Sequence, residues 1–455
     1  MSEELFILQH NFDGICRLED VTKEDLFNLA YRDGITGYYN WAYMWRFLYS
    51  KCRIKEEFCF VHFDIKDFKM VNELYGHDLA NQVLCMVCDA LKNAEDWVIH
   101  SCRCDNDNFA MMVKPESEEK LRTRLEQFFD TITVSNIDPQ LRIYYRCGVV
   151  LVDDAKKWDD RVADLAKFAQ RMGKRYNCTE INFYTQGMYE KMLHDKQLVV
   201  YLDRAISNDE FMVYLQPKYE VNSERIIGAE ALVRWNYMHE KLLPPIAFIP
   251  AFENYDVIGK LDQVVLRKVC NQIKIWQEKG LPVYPISVNL SRKRMENKQL
   301  REQICSVVDE VGIDHRLIEF ELTESASSDD VEFLRSLITE LRALDFYVSM
   351  DDFGTGYSSL SLLNNMSPDT IKMDKSFVDS IIDKPEDSKE CMLVRDIISM
   401  TKHLGFQSLA EGVEYKEQVD LLRKWGCNVF QGYYFSKPVP IPEYEQLIRA
   451  QENML

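Results

Sequence analysis

The 455-residue sequence lacks three features that would place it in common classes of protein. Its net charge is −19. Because binding to DNA or RNA requires surplus lysine and arginine that neutralise the phosphates, we expect no binding to nucleic-acid polymers. No apolar run reaches the length of about 18 residues that crosses a bilayer. Residues 1–29 mix acidic with apolar side chains, unlike a signal peptide. We therefore expect a cytoplasmic protein that does not bind membranes.

A paired-cysteine pattern typical of structural zinc is also missing. The 13 cysteines are odd in number and scattered, and several lie inside apolar strand or helix patterns, which indicates reduced core thiols. Cys102 and Cys104 form a C-x-C pair, but no second pair follows at a zinc-like spacing. A structural zinc site is therefore not favoured.

The most informative stretch is an apolar strand that ends in paired acids. Leu344, Phe346 and Val348 alternate with other residues as in a buried strand, which then runs into Asp351 and Asp352 and a Gly-Thr-Gly turn. Two adjacent acids at one strand end are consistent with a metal site or with simple capping of the next helix. The recurrence of similar strand ends through residues 195–448 favours the metal site.

Eight short apolar runs in this region alternate with amphipathic helical stretches, which predicts βα units. Eight such units in about 250 residues form a TIM-like (β/α)8 barrel, whose strand ends meet on one face. Each run is followed by a polar or charged residue that this barrel would bring to that face. These residues are Gln216, Glu230, Asn289, Glu321, Asp351 with Asp352, Lys372, Glu411 and Gln431.

The residue types of this set indicate a reaction. The metal-ligand candidates are oxygen donors without histidine or cysteine, so Mg²⁺ or Mn²⁺ is expected rather than zinc. So many converging acids would repel one another unless cations lay between them. Two such ions can clamp the attacking and leaving oxygens of a phosphodiester, and Lys372 can offset charge in the transition state. The sequence therefore predicts phosphodiester hydrolysis.

This half of the chain resembles the EAL family of phosphodiesterases, which cleave cyclic di-GMP to linear pGpG. The resemblance rests on Gln216-Pro217, Glu230-Ala231-Leu232, Asn289-Leu290-Ser291, Glu321-Leu322-Thr323-Glu324, Asp351-Asp352-Phe353-Gly354-Thr355-Gly356, Lys372-Met373-Asp374, Glu411-Gly412-Val413-Glu414 and Gln431-Gly432. It implies two Mg²⁺ or Mn²⁺ ions per active site and a homodimer.

The resemblance also implies a role for each matching residue. One metal ion is held by Glu230, Asn289, Glu321 and Asp351. The other is held by Asp352, with Asp351 bridging and Glu411 beside the metals. Lys372 positions the water nucleophile. The dinucleotide is contacted by Gln216, Arg234 and Gln431, while Glu324 and Glu414 stabilise loops.

The preceding residues predict an α+β domain with helices around a central sheet that contains antiparallel strands. A strand over Phe58–Phe63 ends in Asp64, and a later hairpin turns at Asp105–Asn108, where Asn and Asp tolerate the positive φ of a tight turn. Over residues 25–185 the sequence resembles the GGDEF family of diguanylate cyclases.

The cyclase signature is degenerate in this chain. It stands as Asp105-Asn106-Asp107-Asn108-Phe109, so both glycines and the second acid are replaced, and Ala80-Asn81 replaces a Gly-Asp pair. By resemblance, Asp64 matches the first metal ligand, Asn72 a guanine contact and Asp107 the second metal ligand. We expect no cyclase activity, and two roles stay open: a GTP-sensing regulatory module, or a scaffold for dimerisation.

These assignments divide the chain into an N-terminal extension (1–24), a degenerate GGDEF domain (25–185), a helical linker (186–196) and an EAL domain (197–448). The linker could transmit movement or serve as a spacer. Our first hypothesis is an active cyclic di-GMP phosphodiesterase, and the alternative is a non-catalytic cyclic di-GMP receptor. Because a receptor would not need Lys372 and every metal-type acid, the sequence favours the enzyme.

Overall fold

The structure is a computed structural model that describes residues 22–54, 57–132, 142–152, 161–173, 178–291, 300–323, 330–353 and 366–453. The chain forms two compact units, Met1–Lys191 and Met192–Leu455, called here the front unit and the rear unit. The division falls within a helix that spans Gln186–Ser207. No helix of the described ranges is long and apolar enough to cross a membrane.

The front unit is built on a five-stranded mixed sheet in the order β2-β3-β1-β4-β5. All neighbouring pairs are antiparallel except β4 and β5. The strands are β1 (Phe58–Ile65), β2 (Val98–Asp105), β3 (Asn108–Val113), β4 (Tyr145–Val152) and β5 (Glu180–Phe183). Around them lie helices Lys23–Tyr31, Trp41–Ile54, Phe68–Lys92, Glu118–Thr131 and Val162–Arg171. This confirms the α+β prediction.

Both faces of the front sheet are covered because β1 is apolar on both sides. Val61 and Phe63 point into one buried cluster, while Phe58 and Phe60 point into another, as the alternation of side chains along a strand requires. The predicted hairpin turn is confirmed, and Asn106 has a φ of 41° at its tip. Since this left-handed backbone favours glycine and tolerates asparagine, Asn106 can replace a glycine there.

The rear unit is an eight-stranded closed barrel formed by β6, β7 and β9–β14, with two short additional strands, β8 and β15. The strands are β6 (Phe211–Glu220), β7 (Ile226–Tyr237), β8 (Lys241–Leu243), β9 (Ile286–Asn289), β10 (Ile318–Thr323), β11 (Tyr347–Phe353), β12 (Thr370–Met373), β13 (Gln407–Ala410), β14 (Val429–Phe430) and β15 (Val439–Pro440). The helices are Ile249–Asn254, Ile258–Glu278, Leu300–Val311, Asp330–Ala343, Lys375–Ser380, Lys389–His403, Lys416–Trp425 and Ile441–Glu452.

The barrel departs from eight identical βα units at its first strand. Strand β6 is antiparallel to both of its barrel neighbours, β7 and β14, whereas the other barrel pairs are parallel. Only residues 221–225 separate β6 from β7, and so short a connection can join antiparallel strands but cannot cross over to a parallel one. The predicted ends of the first two strands were wrong, because both strands continue past Gln216 and Glu230. These two residues lie directly opposite each other on the neighbouring strands.

Candidate active site

Lys372 lies at the centre of four carboxylates inside the barrel. It belongs to β12 and is 1% exposed. Its Nζ lies 2.6 Å from Glu411, 2.7 Å from Glu321, 3.0 Å from Asp351 and 3.7 Å from Glu230, measured to the nearest carboxylate oxygen of each. The structure thus brings together five of the residues that the sequence had placed at separate strand ends.

The barrel strands deliver these side chains from different positions along their length. Glu230 points inward from the middle of β7, and Glu321 from β10. Asp351 lies on β11, while Glu411 follows the last residue of β13 and its backbone N–H donates to Met373. Because the parallel strands share one direction, these carboxyl groups meet toward the face where barrel enzymes keep their active sites.

Asp351 and Asp352 share the site because the strand is irregular at this point. Successive strand residues normally point to opposite faces. Here the pairing of β11 with β12 shifts between Met350 and Phe353, and Asp352 adopts a φ of 54°, which is uncommon for a residue with a side chain. One oxygen each of Asp351, Asp352 and Glu411 consequently lie within 4.8 Å of one another. Such local strain is typical of functional sites.

The cluster carries more negative than positive charge. Burial and the neighbouring carboxylates of Asp351 and Glu230 together raise the pKa of Glu411 to about 8, against the attraction of Lys372. Burial also raises the pKa of Glu230 and of Asp352, each with help from a nearby carboxylate. Glu321 differs, because two ammonium groups outweigh the effect of its burial and hold its pKa at about 2. One lysine therefore does not neutralise the cluster.

These residues fit divalent metal ions by charge and by donor type. Oxygen ligands of this kind suit Mg²⁺ or Mn²⁺, and cations would relieve the repulsion that raises the carboxyl pKa values. Among the described residues, the ligand atoms of Asp351, Asp352 and Glu411 lie close enough together to hold one ion. Glu230, Glu321 and Asn289 lie around them and could complete the coordination of one or both ions.

Three side-chain amides surround Glu230. Asn289 donates to one of its carboxylate oxygens at 2.9 Å, and Gln431 donates to the other at 2.6 Å. The same Gln431 amide lies 3.3 Å from the side-chain oxygen of Gln216. The Gln431 oxygen is buried and has no hydrogen-bond partner among the described residues, which is uncommon for a buried polar atom.

The remaining residues from the sequence prediction are placed as follows. Arg234 lies on the same face of β7 as Glu230, four residues further along, with its guanidinium carbon 5.4 Å from the centre of the Tyr214 ring. Glu414 accepts a hydrogen bond from Lys375 and thereby ties the loop after β13 to the helix after β12. Glu324 lies outside the described residues.

Two charged residues in the barrel interior were missed by the sequence prediction. Lys218 of β6 is buried and donates to Glu319 at 2.6 Å and to Glu321 at 3.1 Å. A signal was available, because strand residues two apart share a face. Lys218 follows Gln216 by two positions, and Glu319 precedes Glu321 by two.

In the front unit, Asp64 is paired with an arginine. Arg146 lies directly opposite Asp64 on β4, and its Nε and Nη2 donate to the two carboxylate oxygens at 3.0 and 2.8 Å. A guanidinium that meets both oxygens of one carboxylate neutralises it and occupies its binding directions. The front residues therefore do not fit a metal ion at Asp64 in this arrangement.

The other two front-unit residues of the prediction are Asp107 and Asn72. Burial raises the pKa of Asp107, and the charge of Asp64 adds to the effect while Arg146 opposes it. Asn72 donates to the backbone of Phe68 at 3.2 Å and lies 3.1 Å from a ring nitrogen of His77. Asp64 and Arg146 line a small cleft of about 280 Å³ together with Asp105, Asn106, Asn108, Lys167, Gln170 and Arg171.

Comparison with protein-family models assigns both units. The model described as "EAL domain" matches residues 200–438, just over half of the chain. The chain belongs to the EAL family. The model described as "Diguanylate cyclase, GGDEF domain" matches residues 30–175, so a GGDEF domain precedes the EAL domain. The tandem arrangement inferred from the motifs is confirmed.

Similar proteins include cyclic di-GMP enzymes. Cyclic di-GMP phosphodiesterase PdeR of Escherichia coli is 30% identical over 85% of this chain and 58% of its own length. The bifunctional diguanylate cyclase/cyclic di-GMP phosphodiesterase MucR of Pseudomonas aeruginosa is 27% identical over 88% and 58%. A solved structure titled "PaMucR Phosphodiesterase, c-di-GMP complex" is 29% identical, with a TM-score of 0.51 over 55% of this chain and 99% of that one. The chain spans about half the length of the curated relatives it matches.

Proposed function

We propose that the EAL domain hydrolyses cyclic di-GMP to linear pGpG with the help of two Mg²⁺ or Mn²⁺ ions. Water adds to one phosphorus atom, and the bond from that phosphorus to the ribose 3′ oxygen breaks, which opens the ring and leaves a 5′ phosphate. The naming of similar proteins as cyclic di-GMP phosphodiesterases supports this substrate.

The observation that carries the proposal is the set of carboxylates around Lys372. Four acids within 3.7 Å of one ammonium, with Asp352 beside them, hold more negative charge than any receptor for an anionic dinucleotide would need. Bound divalent ions would neutralise that charge, polarise the phosphodiester and help to form the nucleophile. Without bound cations, a cluster so rich in carboxylates would repel the phosphates of the dinucleotide.

The chain's own residues bind and orient the substrate around that centre. Gln431 and Gln216 lie next to each other beside Glu230, and their side-chain amides would contact the dinucleotide. Arg234, on the same strand face as Glu230, provides a positive charge for a phosphate. The Lys372 ammonium stays protonated, since its four acidic neighbours raise its pKa despite burial, and it can stabilise negative charge that develops at phosphorus.

The GGDEF domain acts, in this proposal, as a regulatory or dimerisation module without cyclase activity. The replacement of an acid by Asn108 and the pairing of Asp64 with Arg146 both remove metal-binding capacity from it. A nucleotide such as GTP would then have to bind through Lys167, Arg171 and neighbouring polar groups rather than through metal ions.

Incubation of the purified protein with cyclic di-GMP and Mg²⁺ or Mn²⁺, followed by chromatography, tests the proposal. We expect conversion to pGpG that stops when EDTA is added. A parallel reaction with GTP should yield no cyclic di-GMP, and a change in the hydrolysis rate would assign GTP sensing to the front domain. Tight binding of intact cyclic di-GMP with both metals would support a receptor instead.

A further inference from the structure

We propose that Lys218 is a positioning residue of the active site: held by Glu319, its buried ammonium fixes Glu321 in the orientation that the metal-binding cluster requires. This inference rests on the proposed hydrolysis, which it deepens. Lys218 forms ion pairs with Glu319 and Glu321, and among the described ion pairs Glu321 is its direct link to the cluster around Lys372.

Glu321 is bound at both ends of its carboxylate by different lysines. One oxygen lies 3.1 Å from Lys218, and the other lies 2.7 Å from Lys372. The Glu321 side chain is fully buried, so water cannot replace either contact. A carboxylate whose two oxygens accept hydrogen bonds from different lysines cannot rotate about its terminal bond without losing a charged hydrogen bond.

The contacts form a continuous series through the barrel. Lys218 and Glu319 line a cleft of about 610 Å³ that also includes Pro285 and Gln407, near the N-terminal ends of β9 and β13. Asp351 and Glu411 lie toward the opposite, C-terminal ends. The series Glu319, Lys218, Glu321, Lys372 therefore connects the base of the barrel to the cluster. This series depends on the direction of β6. Because β6 is antiparallel to its neighbours, its later residues lie nearer the base of the barrel, and Lys218 lies further from the active face than Gln216.

Glu319 has an electrostatic reason to be present. A lone ammonium at Lys218 would cancel part of the negative charge that attracts divalent ions to the cluster. Pairing with Glu319 at 2.6 Å neutralises Lys218, so the lysine can hold Glu321 without reducing that charge. Burying an ion pair costs desolvation energy, and well-packed apolar side chains often stabilise a core equally well. A purely structural role therefore does not require these two charges.

The decisive variant is the double substitution Lys218→Met with Glu319→Met, made in the full chain. It removes both charges together and replaces them with apolar side chains of similar length, so we expect a folded protein with near-native thermal unfolding. Loss of a partner that orients a metal ligand typically costs about 10- to 100-fold in metal affinity or activity. We expect that loss in Mn²⁺ affinity, measured by calorimetry, and in kcat for cyclic di-GMP, with KM little changed.

Two single variants refine the test. Glu319→Gln leaves Lys218 in place but uncompensated, so Mn²⁺ should bind more weakly even though Glu321 keeps its contact. Glu445→Gln is the matched control. Glu445 lies on the outer helix Ile441–Glu452 and pairs with Lys279 at 3.2 Å, so the substitution removes a glutamate charge from an ion pair outside the active site. The control should leave Mn²⁺ affinity and kcat unchanged.

The outcomes separate this proposal from the proposed hydrolysis. If the double variant retains native Mn²⁺ affinity and kcat, whatever its melting temperature, Lys218 does not position Glu321 and the proposal is overturned. If the unmodified protein binds Mn²⁺ but does not cleave cyclic di-GMP, the hydrolysis fails, and the Mn²⁺ affinity of the double variant still decides the role of Lys218. An unmodified protein that binds no Mn²⁺ overturns both.

Discussion

The two units place acids at the ends of buried strands but balance their charge differently. In the rear unit one ammonium, Lys372, faces four carboxylates, with Asp352 close by. In the front unit one guanidinium, Arg146, takes both oxygens of Asp64. The rear cluster therefore keeps a surplus of negative charge, whereas the charge of Asp64 in the front unit is neutralised.

This difference shows why counting acidic residues does not identify a metal site. A divalent ion binds where carboxylates repel one another and their ordinary partners do not suffice. An arginine opposite a carboxylate on the neighbouring strand supplies the positive charge that the carboxylate would otherwise obtain from a metal ion. The predictions below alter the charge balance of one unit and use the other as its reference.

The largest expected effect comes from removing a rear carboxylate. Glu230→Ala should abolish cyclic di-GMP hydrolysis, a loss on the order of 1,000-fold or more, since metal ions contribute several kcal/mol of transition-state stabilisation. Asp64→Ala is the matched front-unit variant and should leave the rate of pGpG formation unchanged. Full activity of Glu230→Ala with Mn²⁺ would refute the assigned site.

Replacement of the central lysine should have the next largest effect. Lys372→Met removes the only ammonium in contact with Asp351 and Glu411 among the described residues, so kcat should fall roughly 100- to 1,000-fold, as for other losses of transition-state charge stabilisation. The uncompensated carboxylates should lower the melting temperature, and Mn²⁺ should restore it. An unchanged kcat would show that Lys372 only neutralises the cluster.

A pH effect on stability is expected when metal ions are removed with EDTA. The folded pKa of Glu411 is about 8, above its ordinary value of 4.5, so the folded protein retains a proton that the unfolded chain releases. Stability from this group is complete below about pH 4.5 and declines as the pH rises through about 8. The melting temperature should therefore decrease from pH 6 to pH 8.5, and Mn²⁺ should reduce the decrease. A melting temperature that rises over this interval in EDTA would contradict the raised pKa.

The smallest effect should follow from Arg146→Ser in the front unit. The pair with Asp64 is partly exposed, so its loss should cost about 1 kcal/mol or less. The freed Asp64 and the nearby Asp107 should then bind Mn²⁺ weakly, which paramagnetic resonance would detect as an additional site. Cyclase activity should remain absent because Asn108 replaces an acid. Strong Mn²⁺ binding by the front unit before the substitution would remove the contrast between the units.

The sequence predicted much of the rear site because barrel topology converts strand order into spatial proximity. Glu321, Asp351 and Lys372 lie on three neighbouring parallel strands, and Glu411 directly follows the fourth, so the fold alone brings them together. The direction of β6 was predicted wrongly, although the five residues after Glu220 are too few for a crossover helix.

Other features depended on contacts that a one-dimensional pattern does not contain. The bulge that brings Asp352 beside Asp351 arises from its positive φ and the shifted register with β12. The pairing of Arg146 with Asp64 spans 82 positions and follows from the register of β1 against β4. It changes the interpretation of the front acids more than the altered signature does.

Counting the Mn²⁺ ions bound by the nucleotide-free protein, by paramagnetic resonance with calorimetry, tests the central claim most directly. We predict two ions per chain for the unmodified protein and for Asp64→Ala, and fewer than two for Glu230→Ala. The account would be contradicted if Asp64→Ala lost an ion while Glu230→Ala kept both, or if the unmodified protein bound none.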